Sequence, residues 1–409
     1  MTADVLYLSF DGMTDPLGRS QVLPYLTGLA ARGHRIRIVS LEKQDAYGRG
    51  AFAVDELCRA AGISWHALPY RSRPPILSTL LNLRGLRREA ERLHRERPAD
   101  FSHCRSDLPG IVGLKLKRKR GLPLLYDMRA FWPDERAEGG QWDQSKLLYR
   151  WMFHYFKRRQ RELLATADEM VTLSDQGRRA VTDMGARKAD RPITVIPCCA
   201  DFDLFSPPAE LLRAQMRTEL GIAPDAPLLV HVGSIGSNCL LGEMLDFFAV
   251  YRTRHPAAQL LFVAPAGEPE IRAEARKRQM DQAVHVRSAS REEVPKWIGA
   301  ADLGIMFVRP VWSKKAASPT KLGEMLASGL PVVANGGVGD VADVIQESNA
   351  GVLVDRFDPD AYRSAVDALD HVRASPQDIR TAARRWFDLN EGIARYDAIY
   401  RRLTPMKEH

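Results

Sequence analysis

No stretch of this chain approaches the roughly 18 consecutive apolar residues that a membrane-crossing helix needs. Cysteine is sparse and odd in number, five in all, with no metal-like spacing, which argues for a reducing compartment. The start of the chain lacks a basic region followed by an apolar run and a small-residue cleavage site. Residues 5–9 instead read directly as a first strand, so no signal peptide is expected and the cytoplasm is the expected location. There is no tandem repeat and no low-complexity tract. There is also no Asp-x-Asp run suited to holding a metal–nucleotide complex. Helix-turn-helix, zinc and aromatic RNA-binding signatures are missing, which weighs against a nucleic-acid partner.

What is present fits a globular protein of 409 residues with 45% hydrophobic and 27% charged residues, long enough for two domains. Its net charge of +8 is uneven. Residues 1–205 hold 34 Lys and Arg against 25 Asp and Glu, an excess of nine, while the remainder is one charge negative. All the excess basicity thus lies in the first half, and points to an anionic partner there.

Short β-branched apolar runs alternate with longer amphipathic stretches. In the first half the runs fall at 5–9, 35–40, 63–68, 100–103, 123–127, 169–173 and 193–196. The second half repeats the scheme at 228–232, 259–264, 284–286, 303–307, 331–334 and 351–354. Such alternation predicts two parallel sheets, each covered by helices on both faces. The proline-rich stretch 197–227 suits a linker, and 376–403 reads as one closing helix. Ligands of open α/β sheets bind beyond the carboxyl ends of the strands, which predicts a site in a cleft between two such domains.

The most informative stretch begins Ser318-Pro319-Thr320-Lys321-Leu322-Gly323-Glu324 and runs into the strand 331–334. Ser318 suits an N-cap and Pro319 the first helical position. Free amides at the helix start, with Lys321 beside them, make a diphosphate site. Glu324 shares the face of Thr320 and Lys321, where a carboxylate accepts both hydroxyls of a ribose. The plain alternative is a well-capped amphipathic core helix.

This segment resembles the donor-binding signature of the GT-B-fold glycosyltransferases of family 4, the group 1 glycosyltransferases. In that family one Glu, followed eight residues later by a second, grips sugar and ribose. Glu324 matches the second. The first falls at Ala316, so the resemblance leaves the sugar to other groups such as Ser318, Lys314 or Lys315.

Other stretches match in order, from about residue 5 to residue 403. Gly12 to Gln21 resembles the family's glycine-rich loop, in which Gly12 and Gly18 permit close backbone approach and Arg19 adds charge. Gly233 and Ser234 open the second domain in the same way. Many members carry Arg and Lys there, so Lys321, Arg19 and Arg287 are left to supply the charge. Arg287 and Ser288 match the loop that holds the nucleobase. Ser174, and Pro197 with Asp201 and Phe205, match family positions and read as structural.

On the acceptor side, the segment from Tyr126 to Arg136 is dense in charge and aromatics where a strand ends. Family members often have His at the position of Asp127. An Asp there either accepts a sugar hydroxyl or receives the acceptor's proton, and the alternative is an ion pair with Arg129 that orders the loop. Trp132, Asp134 and Glu135 suit sugar binding but equally suit loop packing. Arg105 follows a neighbouring strand, with His103 reading as structural. The run 115–120, the Arg-rich helix 83–97 and the aromatic, basic segment 149–159 suit either a membrane interface or a solvated basic face.

The resemblance implies two Rossmann-like domains facing across a cleft. The first, 1–200, would bind acceptor; 201–226 would link it to 227–375, which would hold the nucleotide sugar; and 376–409 would cross back. It implies transfer of a sugar from a nucleotide-diphosphate donor, UDP-linked by preference and GDP-linked otherwise, with retention at the anomeric carbon and no cofactor. Lys321 and Asp127 are the expected catalytic groups. The expected acceptor is a glycan or a lipid-diphosphate-linked glycan of surface polysaccharide synthesis, with the protein peripheral on the inner face of the membrane. The alternatives are a nucleotide-sugar epimerase, a basic nucleic-acid-binding protein and a catalytically silent nucleotide-sugar sensor.

Overall fold

The computed structural model describes residues 2–74, 76–236 and 238–405. The chain forms two compact units, one of Met1–Pro197 with Leu389–His409, the other of Cys198–Asp388.

In the first unit, β1 (Asp4–Ser9), β2 (Arg35–Glu42), β3 (Ser64–Pro69), β4 (Phe101–Arg105), β5 (Leu124–Asp127), β6 (Glu169–Thr172) and β7 (Ile193–Val195) form one sheet. Its order is β3-β2-β1-β4-β5-β6-β7 and its neighbours are parallel, with Tyr7 opposite both Ile38 and His103. The helices between them are α1 (Pro16–Gln21), α2 (Leu23–Ala31), α3 (Gln44–Ala60), α4 (Leu77–Glu96), α5 (Asp107–Arg120), α6 (Trp132–Glu138), α7 (Leu147–Thr166) and α8 (Asp175–Asp183). Every residue of β4 and β5 is buried, as expected of strands covered on both faces.

The second unit repeats the plan. Its sheet holds β8 (Leu228–Val232), β9 (Gln259–Val263), β10 (Val284–Arg287), β11 (Leu303–Met306), β12 (Val332–Asn335) and β13 (Gly351–Val354), in the order β10-β9-β8-β11-β12-β13. Its helices are α9 (Glu210–Leu220), α10 (Leu241–Arg254), α11 (Glu268–Lys277), α12 (Val294–Ala300), α13 (Thr320–Ala327), α14 (Val341–Ser348), α15 (Pro359–Leu369) and α16 (Pro376–Phe387). Successive side chains of β8 serve opposite helix layers: Leu228, Val230 and Val232 join one core, Leu229 the other. The strands expected from sequence are all present. In each sheet the direction of strand order reverses once, between β1 and β4 and between β8 and β11, and a crevice opens beside such a reversal.

Two segments differ from expectation. The stretch read as a linker, 201–226, is folded into the second unit: α9 carries Arg213 and Arg217, whose guanidiniums bind the carbonyls of residues 299–301 and the Asp302 carboxylate. The closing helix is two helices. Asp388 is extended (φ −65°, ψ 122°) because the backbone there pairs with Ala200, whose amide donates to the Phe387 carbonyl at 2.8 Å. α16 therefore belongs to the second unit, and only α17 (Leu389–Leu403) returns to the first. There His34 accepts the Ala3 amide at Nδ1, so Nε2 carries the proton and donates to Asp397 at 2.7 Å. Arg402 grips Glu169 with two nitrogens.

Candidate active site

In the first unit, β4 and β5 end side by side, with Arg105 opposite Asp127. The buried Asp127 carboxylate lies 3.3 Å from Arg129 Nη1, 3.6 Å from His103 Nε2 and 3.9 Å from Arg105 Nη1. Burial alone would raise its pKa, but Arg129, then His103 and Arg105, hold it well below the ordinary carboxylate range. A group so acidic is a poor proton store and a good acceptor of a hydroxyl hydrogen. The Asp127–Arg129 ion pair, the alternative that the sequence left open, is present. His103 is held by the Tyr400 hydroxyl on α17 at 2.9 Å, and burial lowers its pKa while Asp127 opposes the fall.

The loop after β1 is shaped by Glu42, the last residue of β2. Its carboxylate accepts the amides of Met13 (2.7 Å) and Thr14 (3.1 Å) and the hydroxyls of Thr14 and Ser40 (2.6 Å each). Gly18 then folds back over the loop so closely that a Cβ there would sit 2.1 Å from the Gly12 carbonyl. Arg19 follows, partly exposed, on α1.

Trp132 and Asp134 have structural partners. The Trp132 ring meets Trp142 and Phe156 edge-on at 5.1 and 5.0 Å, and Asp134 pairs with Lys157 at 2.5 Å. Both thereby hold α6 against α7, the packing reading that the sequence also allowed. Glu135 lies partly exposed in the same first turn.

In the second unit the expected donor residues gather around the ends of β8 and the start of α13. His231 Nδ1 donates to the Ile305 carbonyl at 3.0 Å across the β8–β11 crossover. A carbonyl only accepts, so Nε2 holds the lone pair and accepts from Lys321 Nζ, also at 3.0 Å. Burial, then the Lys321 charge, push the His231 pKa far down, and burial lowers that of Lys321. Gly233 follows at φ +105°, and a Cβ there would meet Lys321 Nζ at 3.3 Å, so glycine leaves the ammonium its place. Ser234 is exposed beside it.

One detail differs from the sequence reading, and the partners of Glu324 and Arg287 are new to it. Ser318 is not the N-cap: Pro319 is, and the Ser318 hydroxyl instead accepts the Cys198 amide at 3.1 Å. Proline has no side-chain acceptor, so the amides at the start of α13, with Thr320 first, have no side-chain cap from their N-cap residue. Glu324 is buried and ion-paired to Arg291, whose guanidinium lies 4.8 Å above the Phe205 ring. Burial raises the Glu324 pKa while Arg291 opposes the rise. Arg287, at the end of β10, turns back to the Val286 carbonyl at 3.1 Å, with Ser288 exposed after it. Ala316, the residue expected at the place of the family's first Glu, is wholly buried.

The two Asp-x-Asp triplets, 201–203 and 358–360, serve local caps: Asp201 accepts the Asp203 and Leu204 amides and Asp358 the Ala361 amide. No cluster of three metal-ligating side chains occurs among the described residues.

Residues 19–199 match the model of the glycosyl transferase 4-like domain, and residues 226–370 that of the group 1 glycosyltransferases. The chain belongs to the group 1 glycosyltransferases. It is 28% identical over 294 residues to the D-inositol 3-phosphate glycosyltransferase of Thermomonospora curvata, covering 68% of this chain and 65% of that protein. A second such protein, from Catenulispora acidiphila, is 26% identical over 290 residues, covering 68% and 64%. The matches thus span just under two thirds of these relatives' own length. Among solved structures, Anabaena HepE in complex with UDP and glucose superposes with a TM-score of 0.73 at 14% identity, over 98% of this chain and all of that one. Sucrose-phosphate synthase of Thermosynechococcus elongatus gives 0.71 at 18%, over 98% and 99%. These likenesses establish the fold.

Glu42, His231 and Arg291 escaped the sequence reading. His231 had a signal, a lone imidazole in the apolar strand Leu228–Val232 one residue before the glycine turn. Arg291 had none, standing in the charged run Arg291-Glu292-Glu293.

Proposed function

We propose that this protein transfers a sugar from a nucleoside-diphosphate sugar, UDP-linked by preference, to a hydroxyl of a glycan or lipid-diphosphate-linked glycan at the inner face of a membrane. The observation that carries the reading is the array on the second unit: Lys321 aimed by a neutral His231 beside the Gly233 turn, amides at the start of α13 without a side-chain cap from Pro319, and Glu324 held by Arg291. A diphosphate meets one ammonium and several N–H donors there, and a ribose meets one carboxylate. These groups stabilise the leaving diphosphate without calling on a cofactor. In the transfer the bond from anomeric carbon to diphosphate breaks and that to the acceptor oxygen forms. The acceptor's proton leaves with the diphosphate, and the anomeric configuration is retained. Asp127, held ionised, suits a sugar hydroxyl as hydrogen-bond acceptor. HepE was solved with UDP and with UDP-glucose, which supports the choice of nucleotide.

The test is thermal stabilisation by a panel of UDP, GDP, CMP, ADP and their sugars, followed by transfer of labelled sugar to membrane lipid extracts. Binding to the folded state must raise the melting temperature. A selective shift with one nucleoside diphosphate, lost in Glu324→Ala, together with labelled product, is the expected result. No shift with any nucleotide would sink the reading. Ala316 favours one second reading, a nucleotide-sugar sensor: a selective shift with no turnover in any extract would establish it.

A further inference from the structure

Helix α7 presents an unusual outer face. Leu147 is 73% exposed, Leu148 54%, Trp151 64% and Tyr155 38%. Residues 147, 151 and 155 recur every four positions and form a single stripe with 148 beside it. The rings of Trp151 and Tyr155 stack at 5.6 Å. Arg150, Arg158 and Arg161 are also exposed, with His154 between the first two, and the spacing of the arginines sets a cationic stripe along one side of the apolar one. The one acidic residue of the helix, Glu162, is taken by Arg118 and Arg159.

Helix α4 repeats the pattern. Leu77, Leu80 and Leu81 are 51%, 57% and 39% exposed in its first turns, and Arg84 and Arg88 continue that exposed row. No Asp or Glu occurs from Arg71 to Arg88. Between the two helices lies α5, packed against both α4 and α7. The three helices therefore make one face.

Its orientation follows from topology. α4 and α5 leave β3 and β4 at the carboxyl edge of the sheet, and α7 begins at that edge before running back to β6. The exposed leucines and aromatics occupy the starting turns of α4 and α7. They consequently flank the edge where Arg105 and Asp127 end their strands.

We propose that the α4–α7 face docks this protein on an anionic lipid bilayer, with Leu77, Leu80, Leu147, Trp151 and Tyr155 entering the headgroup region. Apolar side chains rimmed by arginine, with no carboxylate from Arg71 to Arg88 and only the paired Glu162 on α7, fit such a surface on both counts, burial and charge. The docking brings the acceptor edge of the first unit to lipid, where a lipid-linked sugar acceptor resides. It deepens the acceptor reading above, yet its test needs no glycosyl transfer.

The experiment is co-sedimentation of the full chain with vesicles of phosphatidylcholine alone and of phosphatidylcholine mixed with phosphatidylglycerol. Binding is expected only to the mixed vesicles and is expected to fall with salt. Arg150→Gln with Arg158→Gln is expected to weaken it by roughly 30-fold, from about five-fold per cation. Leu147→Ser with Trp151→Ser is expected to weaken it by at least roughly ten-fold. All four side chains are exposed, so the melting temperature and its shift with UDP are expected to stay unchanged. Failure to bind mixed vesicles, or a dimer in solution abolished by Leu147→Ser with Trp151→Ser, overturns the proposal. A UDP shift that survives either result leaves the sugar-transfer reading standing on its own.

Discussion

Lys321 and His231 form a pair whose behaviour can be worked out from two distances. His231 cannot donate from Nε2, because its proton is committed at Nδ1 to the Ile305 carbonyl. Its lone pair therefore fixes the Lys321 ammonium beside the Gly233 turn. A charge-assisted hydrogen bond from Lys321 to a diphosphate is worth about 1.5–3 kcal/mol, so Lys321→Ala should weaken UDP-glucose binding by roughly 10- to 150-fold. Uridine, which lacks the diphosphate, should bind both proteins alike. His231→Leu should reproduce part of the loss by freeing the ammonium, and His231→Gln, whose amide oxygen also accepts, should recover some of it. Burial and Lys321 keep His231 neutral far below the ordinary imidazole range. UDP-glucose affinity, measured by calorimetry, should thus show no imidazole titration between about pH 6 and 8. Affinity that strengthens on acidification through that window, and does so only while His231 is present, would mean an imidazolium facing the diphosphate, and the argument would fail.

If Glu324 holds the ribose as proposed, it accepts both hydroxyls best when ionised; burial raises its pKa, and Arg291 opposes the rise. Arg291→Ala should therefore move the acid limb of UDP-glucose binding to higher pH; an unmoved limb counts against the pair. Asp107, buried at the start of α5 with its carboxylate bonded to Gln160, has its pKa pushed from 3.8 up to about 7, chiefly by burial. The folded state holds that proton more tightly than the unfolded chain, so stability contributed here falls as pH rises from about 4 to 7. Asp107→Asn should flatten this part of the profile and stabilise the protein at pH 8 by up to about 4 kcal/mol, read by denaturant unfolding. Gly18→Ala forces a Cβ to 2.1 Å from a backbone oxygen and should cost about 1–3 kcal/mol. Gly48→Ala on α3, with nothing within 4 Å, should instead stabilise by about 0.4–1 kcal/mol; a reversed order would refute the packing account.

The stretch read as a candidate donor site was legible because its groups are local: a glycine turn, a proline at a helix start, and a Lys and Glu one turn apart show as spacing. The partners that set those groups' chemistry were not legible. Arg291 reaches Glu324 across 33 residues and His231 reaches Lys321 across 90, and no periodicity announces either pair. Ser318 illustrates the same limit from the other side. Its place before a proline fits a cap, but the Cys198 amide, 120 residues away, claims the hydroxyl. Trp132 and Asp134 had two open readings, and Trp142, Phe156 and Lys157 gave them packing roles.

The sequence by itself determined the alternation of buried strands and amphipathic helices, and hence two parallel sheets, since strand burial and helix periodicity are properties of short windows. It also determined the uneven charge and the lack of a membrane-crossing helix. Only the tertiary structure decided where the closing helix breaks, because the break depends on backbone pairing between Ala200 and Asp388. It alone decided in which direction the pKa values of Asp127, Glu324 and His231 move, because a pKa follows from burial and from charges that distant segments bring near. And it alone showed that the leucines of α4 and the aromatics of α7 lie on one face, since helical periodicity distinguishes two sides of a helix but not which of them the fold leaves uncovered.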